Sequence, residues 1–261
     1  MRRVVLVAVG GLSFGLAACG TAGGTSASAG STAGPSIVEF SDAVTLGKAV
    51  ESTAKKGQTA QVTLRSRRAT GESSGEGSVE TDHSGEAVQF TLDSPTEVWT
   101  VVSVDGRMFL ARQGVKTASG RTWTRLDPAS ADPRQRVISA LVSGFPSFDP
   151  RQVGADVATA GTVTGSAADQ VDGRDVARYT VDIEKARLPR GAFGLGSAGF
   201  QDAEPTFPVE VWVDRGGRIA RFNVHFAGKK HPDIGFTVDY RNWGKGPGVS
   251  APDPADVEPN S

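Results

Sequence analysis

The stretch from Val209 to Phe226, Val-Glu-Val-Trp-Val-Asp-Arg-Gly-Gly-Arg-Ile-Ala-Arg-Phe-Asn-Val-His-Phe, decides the fold class of this chain. Apolar and polar residues alternate along both of its halves, and Gly216-Gly217 lies between them. A period of two is typical of a strand that buries one face, and a glycine pair is typical of a turn. The stretch therefore predicts a β-hairpin in an antiparallel sheet, because parallel strands are usually buried on both faces.

The same alternation recurs along most of the chain. Asp105-Gly106 and Asp172-Gly173 each stand between two extended runs, inside the same four residues Val-Asp-Gly-Arg. An Asp-Gly pair in this position is a strong signal for a two-residue hairpin turn. Together with further alternating or extended runs, the pattern predicts eight to ten strands.

Three segments predict helices. Residues 40–56 place apolar side chains at helical spacing behind a candidate cap. The segments that begin at Asp132 and Asp149 share the opening Asp-Pro-Arg-Gln, with Asp suited to the cap and Pro to the first helical position. The expected fold class is therefore α+β: one domain, a single large curved antiparallel β-sheet, and helices against its concave face.

The N-terminus predicts a secretory signal. Two arginines precede an apolar run at 4–16, which ends in Leu-Ala-Ala-Cys at Cys19. A basic start, a short apolar run and small residues before the cut are typical of a signal peptide. As a helix the run would be about 20 Å long, too short for a hydrocarbon core of about 30 Å.

The ending Leu-Ala-Ala-Cys resembles the bacterial lipobox, in which the cysteine receives a diacylglycerol before cleavage. We therefore expect residues 1–18 to be a lipoprotein signal peptide and Cys19 to be lipidated, carrying fatty acyl chains such as palmitate. Residues 19–36 contain little but Gly, Ser, Thr and Ala after the cysteine, so they predict a flexible tether. The alternative for Cys19 is a buried or free thiol that follows the apolar run.

Composition excludes several classes of function. The chain has 28 Lys+Arg and 29 Asp+Glu, so basic residues are not in excess. A protein that binds nucleic acid would need clustered basic charge, so no nucleic-acid partner is expected. Lipidation of Cys19 would leave no thiol for a disulfide or a thiolate metal site. The three histidines show no ligand spacing, so no metal is expected. Acidic residues lie singly along polar strand faces, with no apolar setting that would raise a pKa.

No motif predicts catalysis or a cofactor. Residues 194–199 match G-x-G-x-x-G, but prolines flank them and no strand and helix surround them as a dinucleotide site requires. Residues 52–55 match S-x-x-K without the companion motifs of penicillin-recognising enzymes. We therefore expect a protein that is not an enzyme.

The apolar face of the sheet is the feature that remains, and it is either a filled core or the lining of a cavity. The inward positions, taken from the alternation, are the lipid-pocket candidates Val62, Leu64, Val88, Phe90, Leu92, Val101, Val137, Leu141, Phe145, Tyr179, Val181, Phe222, Val224 and Phe236. Residues 186–207 form a long segment without a clear period. Its apolar residues Phe193, Leu195 and Phe200 are entrance-loop candidates, and the alternative is loop sequence without such a role.

These parts resemble a known family. The lipobox at Cys19, the small-residue tether, the two Val-Asp-Gly-Arg hairpins, the hairpin at 209–226 and the ending at 238–245 are similar to the LppX/LprG-type family of LolA-like actinobacterial lipoproteins. The resemblance implies a half-barrel sheet with helices closing an apolar cavity, and carriage of lipid or glycolipid across the envelope. It implies a lipid-binding domain at 37–257, followed by a short tail at 258–261.

Two functions are open at this stage. The first is a carrier, anchored to the extracytoplasmic face of the cell membrane through Cys19, which binds the acyl chains of a lipid or glycolipid in the cell envelope. We expect it to be a monomer, with a membrane transporter as a candidate partner. The second is a non-catalytic interaction or sensor module of the same fold, with a filled core and no lipid cargo.

Overall fold

The structure is a computed structural model that describes residues 39–54, 58–68, 71–81, 87–93, 97–189, 192–195, 201–226 and 234–259. The predicted signal peptide, Cys19, the tether and Phe200 lie outside these residues. In chain order the helices and strands are α1 Ala43–Ala54, β1 Thr59–Arg68, β2 Gly71–Glu80, β3 Ala87–Asp93, β4 Val98–Val104, β5 Arg107–Arg112, β6 Trp123–Leu126, α2 Pro133–Val142, α3 Pro150–Ala160, β7 Gly161–Val171, β8 Arg174–Glu184, β9 Thr206–Val213, β10 Ile219–Phe226 and β11 Ile234–Arg241.

All of these strands belong to one sheet, whose order is β6-β5-β4-β3-β2-β1-β11-β10-β9-β8-β7. Every neighbouring pair is antiparallel, and β1 pairs with β11 to join the two halves of the chain. The sheet is a single curved, open layer with helices, which confirms the predicted α+β class.

Within the described ranges the sheet has eleven strands, one more than the alternation predicts at most. The additional strand is β2, whose sequence Gly-Glu-Ser-Ser-Gly-Glu-Gly-Ser-Val-Glu shows no apolar alternation. A Cβ atom on Gly75 would lie 2.8 Å from Leu92 Cδ2, and one on Gly77 would lie 1.8 Å from the carbonyl oxygen of Gln89. Positions 75 and 77 therefore require glycine, and β2 lacks the apolar side chains by which a strand is recognised in a sequence.

The predicted hairpin turns are confirmed. Asp105 and Gly106 have φ angles of 51° and 72°, and Asp172 and Gly173 have φ angles of 51° and 71°. Two successive residues with positive φ match the twist of the flanking strands, and Asp-Gly adopts this turn at low cost. The turn at 216–217 likewise joins β9 to β10, as the opening stretch predicts.

The helices begin where their caps predict. Asp42 Oδ1 accepts a hydrogen bond of 2.9 Å from the Thr45 backbone N–H at the start of α1. Asp149 Oδ1 accepts one of 2.8 Å from the Arg151 N–H at the start of α3, and Pro150 occupies its first turn. A side chain that satisfies a free N–H at a helix start stabilises the helix by about 1 kcal/mol.

Helices α1 and α3 cross at two glycines. A Cβ atom on Gly47 would lie 2.3 Å from the carbonyl oxygen of Gly154, and one on Gly154 would lie 2.6 Å from the carbonyl oxygen of Gly47. The backbones therefore approach more closely than any other residue would allow. The buried faces of both helices pack on the sheet through Leu46, Val50 and Val153, and we call the sheet face that they cover the inner face.

Candidate functional site

The inner face carries the predicted pocket positions. Nine of them belong to one apolar cluster with α1 and α3, and all nine are less than 9% exposed: Val62, Leu64, Val88, Phe90, Tyr179, Val181, Phe222, Val224 and Phe236. Leu92 and Phe145 are half-buried and pack against this cluster. Val101 lies in a separate cluster with Leu110, Leu126 and Val142, against which Phe145 also packs. The side chains of Val137 and Leu141 are outside the described part of the chain.

A single helical turn at Phe145–Phe148 fills the middle of the inner face. The ring of Phe148 lies 5.3 Å from Phe90, 5.9 Å from Phe236 and 6.1 Å from Phe222, measured between centroids. Tilted and edge-to-face pairs at these distances add to the stabilisation from burial. Phe148 therefore lies at the centre of an aromatic cluster, a role that the alternation of the strands could not assign to it.

The hydroxyl of Tyr240 fixes this turn in place. It donates a hydrogen bond of 2.7 Å to the carbonyl oxygen of Phe148. Burial raises the pKa of Tyr240 well above its ordinary value, and the nearby carboxylate of Asp149 acts in the same direction. The hydroxyl therefore stays protonated, and the turn is connected to β11 by a buried polar contact.

A second short segment, Ala192–Leu195, also enters the inner face, and we call it the plug. Phe193 is fully buried and Leu195 is 7% exposed. The ring of Phe193 lies 6.4 Å from Phe222 and 6.5 Å from Phe207. Both predicted entrance-loop residues that the structure describes thus lie within the apolar cluster.

The backbone of the plug is strained. Phe193 has φ 53° and ψ 26°, in the left-handed region that bulky residues rarely adopt. Such a conformation costs on the order of 1–3 kcal/mol and persists only where its surroundings hold it. Burial of the phenyl ring against two other rings is the contact that offsets this cost.

Asp156, on α3, is a buried carboxylate beside the plug. Its side chain is 2% exposed, Gln152 Nε2 donates a 2.7 Å hydrogen bond to Oδ1, and the backbone N–H of Phe193 also donates to the carboxylate. Oδ2 is buried and has no hydrogen-bond partner. Burial raises the pKa of Asp156 to about 6, against the lowering effect of the two hydrogen bonds.

Asp156 corrects the expectation that every acidic residue lies on a solvated face. The sequence contained a signal for its burial, because Val153 and Ala160 stand three residues before it and four residues after it. Residues at these spacings share a helix face, and both flanking residues are buried in the core. A helical count over 149–160 would have placed Asp156 on the apolar side.

The opposite, outer face of the sheet is polar along β1, β10 and β11, whereas buried apolar clusters lie on it toward both ends, around Phe109 and around Trp212. An open hollow of about 830 Å³ lies there, and its lining includes Arg65, Arg67, Glu72, Glu210 and His225. Of the predicted pocket positions, Phe236 is the one that reaches the described lining of this hollow.

Beside the hollow, the carboxylate of Asp239 is 1% exposed and forms ion pairs with Arg65 and Arg221. Arg221 in turn lies over the ring of Trp212, 5.7 Å from its centroid. The charge of the buried Asp239 carboxylate is therefore balanced by arginines on the two neighbouring strands, β1 and β10.

The part of the chain that the structure describes holds neither a metal-ligand cluster nor a membrane-spanning helix. No group of three or more His, Cys, Asp or Glu side chains in this part of the chain is arranged to hold a metal ion. No helix within it has the length and apolar character needed to cross a bilayer.

No family model matches the chain, and no curated protein matches it. Solved structures that resemble it include LprF from Mycobacterium bovis, at 12% identity and a TM-score of 0.48, with 80% of this chain and 96% of that chain covered. The Mycobacterium tuberculosis lipoprotein LppX is 14% identical, with a TM-score of 0.43 and coverage of 79% and 98%. A LolA superfamily protein from Nitrosomonas europaea is 11% identical, with a TM-score of 0.34 and coverage of 83% and 98%. LppX is a member of the family that the sequence resembles.

Proposed function

We propose that the protein is a lipid-anchored lipoprotein of the cell envelope that binds the acyl chains of a lipid or glycolipid on the inner face of its sheet. The main support for this proposal is the way in which the plug occupies the inner face. An apolar sheet face is filled by a short segment that is strained at Phe193 and that stands over an incompletely satisfied carboxylate at Asp156. Such a segment is suited to being replaced by a ligand.

The energetics favour an exchange between plug and lipid. Withdrawal of Phe193 and Leu195 would expose apolar surface, and each CH₂ group of an acyl chain that enters recovers about 0.8 kcal/mol. Relief of the backbone strain at Phe193 adds to this gain. The exchange involves no covalent step, so the proposed activity is carriage and not catalysis.

The N-terminus supports an envelope location. In the proposed arrangement Cys19 carries the acyl chains that anchor the protein at the extracytoplasmic face of the cell membrane, since two or more chains hold a protein stably where one does not. Residues 20–36 would then give the domain a reach of roughly 20–25 Å from the membrane surface. A membrane transporter that supplies or accepts the lipid is the partner that fits this position.

The test is native mass spectrometry of the full chain carrying Cys19→Ser, expressed in an actinobacterium and purified without detergent. We expect a bound mass in the range of a glycolipid or an acylglycerol that is lost on denaturation. A clean mass of the protein alone, with no uptake of lipid added from mixed micelles, would overturn the proposal.

A second function is favoured by one observation. The described inner-face candidates are buried against protein side chains, which is also what a permanently filled core would show. In that case the protein is a non-catalytic interaction or sensor module of the envelope, and its binding surface lies elsewhere. The negative outcome of the same experiment supports this function.

A further inference from the structure

The unpartnered carboxylate oxygen of Asp156 is the feature of the inner face that apolar packing does not explain. Oδ2 is buried and accepts no hydrogen bond in the structure. A buried acceptor without a donor destabilises the folded state, whereas an apolar side chain of similar size at this position would carry no such penalty. The oxygen is therefore a free acceptor at a defined place in an apolar region.

The place is the boundary between α3 and the plug. Gln152, one turn earlier on α3, donates to Oδ1 over 2.7 Å, so the carboxylate is oriented from its own helix. The other donor is the backbone N–H of Phe193 in the plug. If the plug withdraws, the carboxylate keeps its orienting partner but loses Phe193, and a second acceptor position becomes available.

The groups beside Asp156 on α3 define the rest of this environment. Val153 and Val157 belong to the apolar cluster of the inner face, and both are at most 1% exposed. A ligand whose acyl chains lie along this cluster would therefore bring the polar end of its chains close to Asp156. No cationic side chain contributes to the environment of this carboxylate among the described residues, so a neutral donor suffices.

We propose that Asp156 recognises a free hydroxyl group of the bound lipid, next to its acyl chains, and so selects hydroxyl-bearing lipids over fully esterified ones. This inference rests on the proposed lipid-binding function. The hydroxyl donates to Oδ2, which accepts no hydrogen bond in the structure, while Oδ1 keeps its bond from Gln152. A site built around a buried acceptor rejects a ligand that lacks the donor, because the acceptor is then left unpaired.

The experiment compares two lipids that differ in this group alone. The probes are 1,2-dioleoylglycerol and 1,2-dioleoyl-3-acetylglycerol, in which the hydroxyl is capped, each titrated from mixed micelles into the full chain carrying Cys19→Ser. We expect the hydroxyl-bearing lipid to bind at least tenfold more tightly. Asp156→Leu removes the acceptor at similar volume, so its two affinities should differ by less than twofold. Asp182→Leu, on the outer face, is the matched control and should keep the preference.

The outcomes separate this inference from the function on which it rests. Binding of neither lipid by any variant overturns the lipid-binding function itself. If the protein that retains Asp156 binds both lipids equally, the role of Asp156 is overturned but the lipid-binding function is not. A preference that persists in Asp156→Leu has the same consequence. The comparison of the two lipids on the unsubstituted site stands even if Asp156→Leu does not fold, which circular dichroism would show.

Discussion

The buried carboxylate of Asp156 predicts a specific dependence of stability on pH. Its pKa is raised from the ordinary value of 3.8 to about 6, mainly by burial. A shift of about two pKa units corresponds to about 3 kcal/mol. Because the folded state binds this proton more tightly than the unfolded state does, the contribution of Asp156 to the free energy of unfolding is fully present below about pH 4. It is lost as the pH rises to about 6.

The substitution Asp156→Asn isolates this contribution. The amide of the variant does not titrate. Between pH 4 and pH 7 the unsubstituted protein should therefore lose about 3 kcal/mol of unfolding free energy relative to the variant. Urea titrations at pH 4, 5, 6 and 7, followed by circular dichroism, measure it. Asp182→Asn, on the outer face, controls for the loss of one negative charge. A difference that stays constant across this range would refute the assignment of Asp156 as a desolvated carboxylate.

Two further substitutions test the contacts that close the inner face. Gly47→Ala should lower the free energy of unfolding by about 1–3 kcal/mol or more, as overpacking does, because its Cβ would lie 2.3 Å from the carbonyl oxygen of Gly154. Gly165→Ala is the control, since the nearest atom to its Cβ is 4.0 Å away, and equal stability of the two variants in urea would contradict the close crossing of α1 and α3. Tyr240→Phe should cost about 1–3 kcal/mol, because it leaves the buried carbonyl of Phe148 without the donor it has in the structure. An unchanged urea midpoint would show that this contact does not hold the turn.

The sheet was predictable from the sequence wherever one face of a strand is apolar and the other polar. The hairpin around Gly216-Gly217 and the two Val-Asp-Gly-Arg turns follow from local chemistry, because alternation and positive φ are each decided within a few residues. The strand β2 could not be predicted in this way. Two of its inner positions, Gly75 and Gly77, are glycines because β3 approaches closely there, and that distance is a property of the folded sheet.

The strand residues of the inner face were predictable from the sequence, but the two short turns that pack against them were not. Strand alternation identified inner-face positions such as Phe90 and Phe222, which the structure brings into one cluster. It could not identify Phe148 or the placement of Phe193, because both lie in single turns whose sequence has no period. Their positions depend on long-range contacts that only the assembled sheet provides. The lipidation of Cys19 and the role of Phe200 stay predictions.

An apolar sheet face cannot remain open to water, so a carrier of this architecture has to be closed by its own residues when it is empty. The closing segment must then be stable enough to exclude water and weak enough to leave when a lipid arrives. The plug satisfies both conditions: its aromatic ring is fully buried, yet Phe193 carries backbone strain of on the order of 1–3 kcal/mol and stands beside an acceptor that it only partly satisfies. Both costs belong to the empty state, and a lipid with a free hydroxyl removes both. In the proposed function, the features that make the closed form imperfect are therefore the ones that allow the lipid to bind.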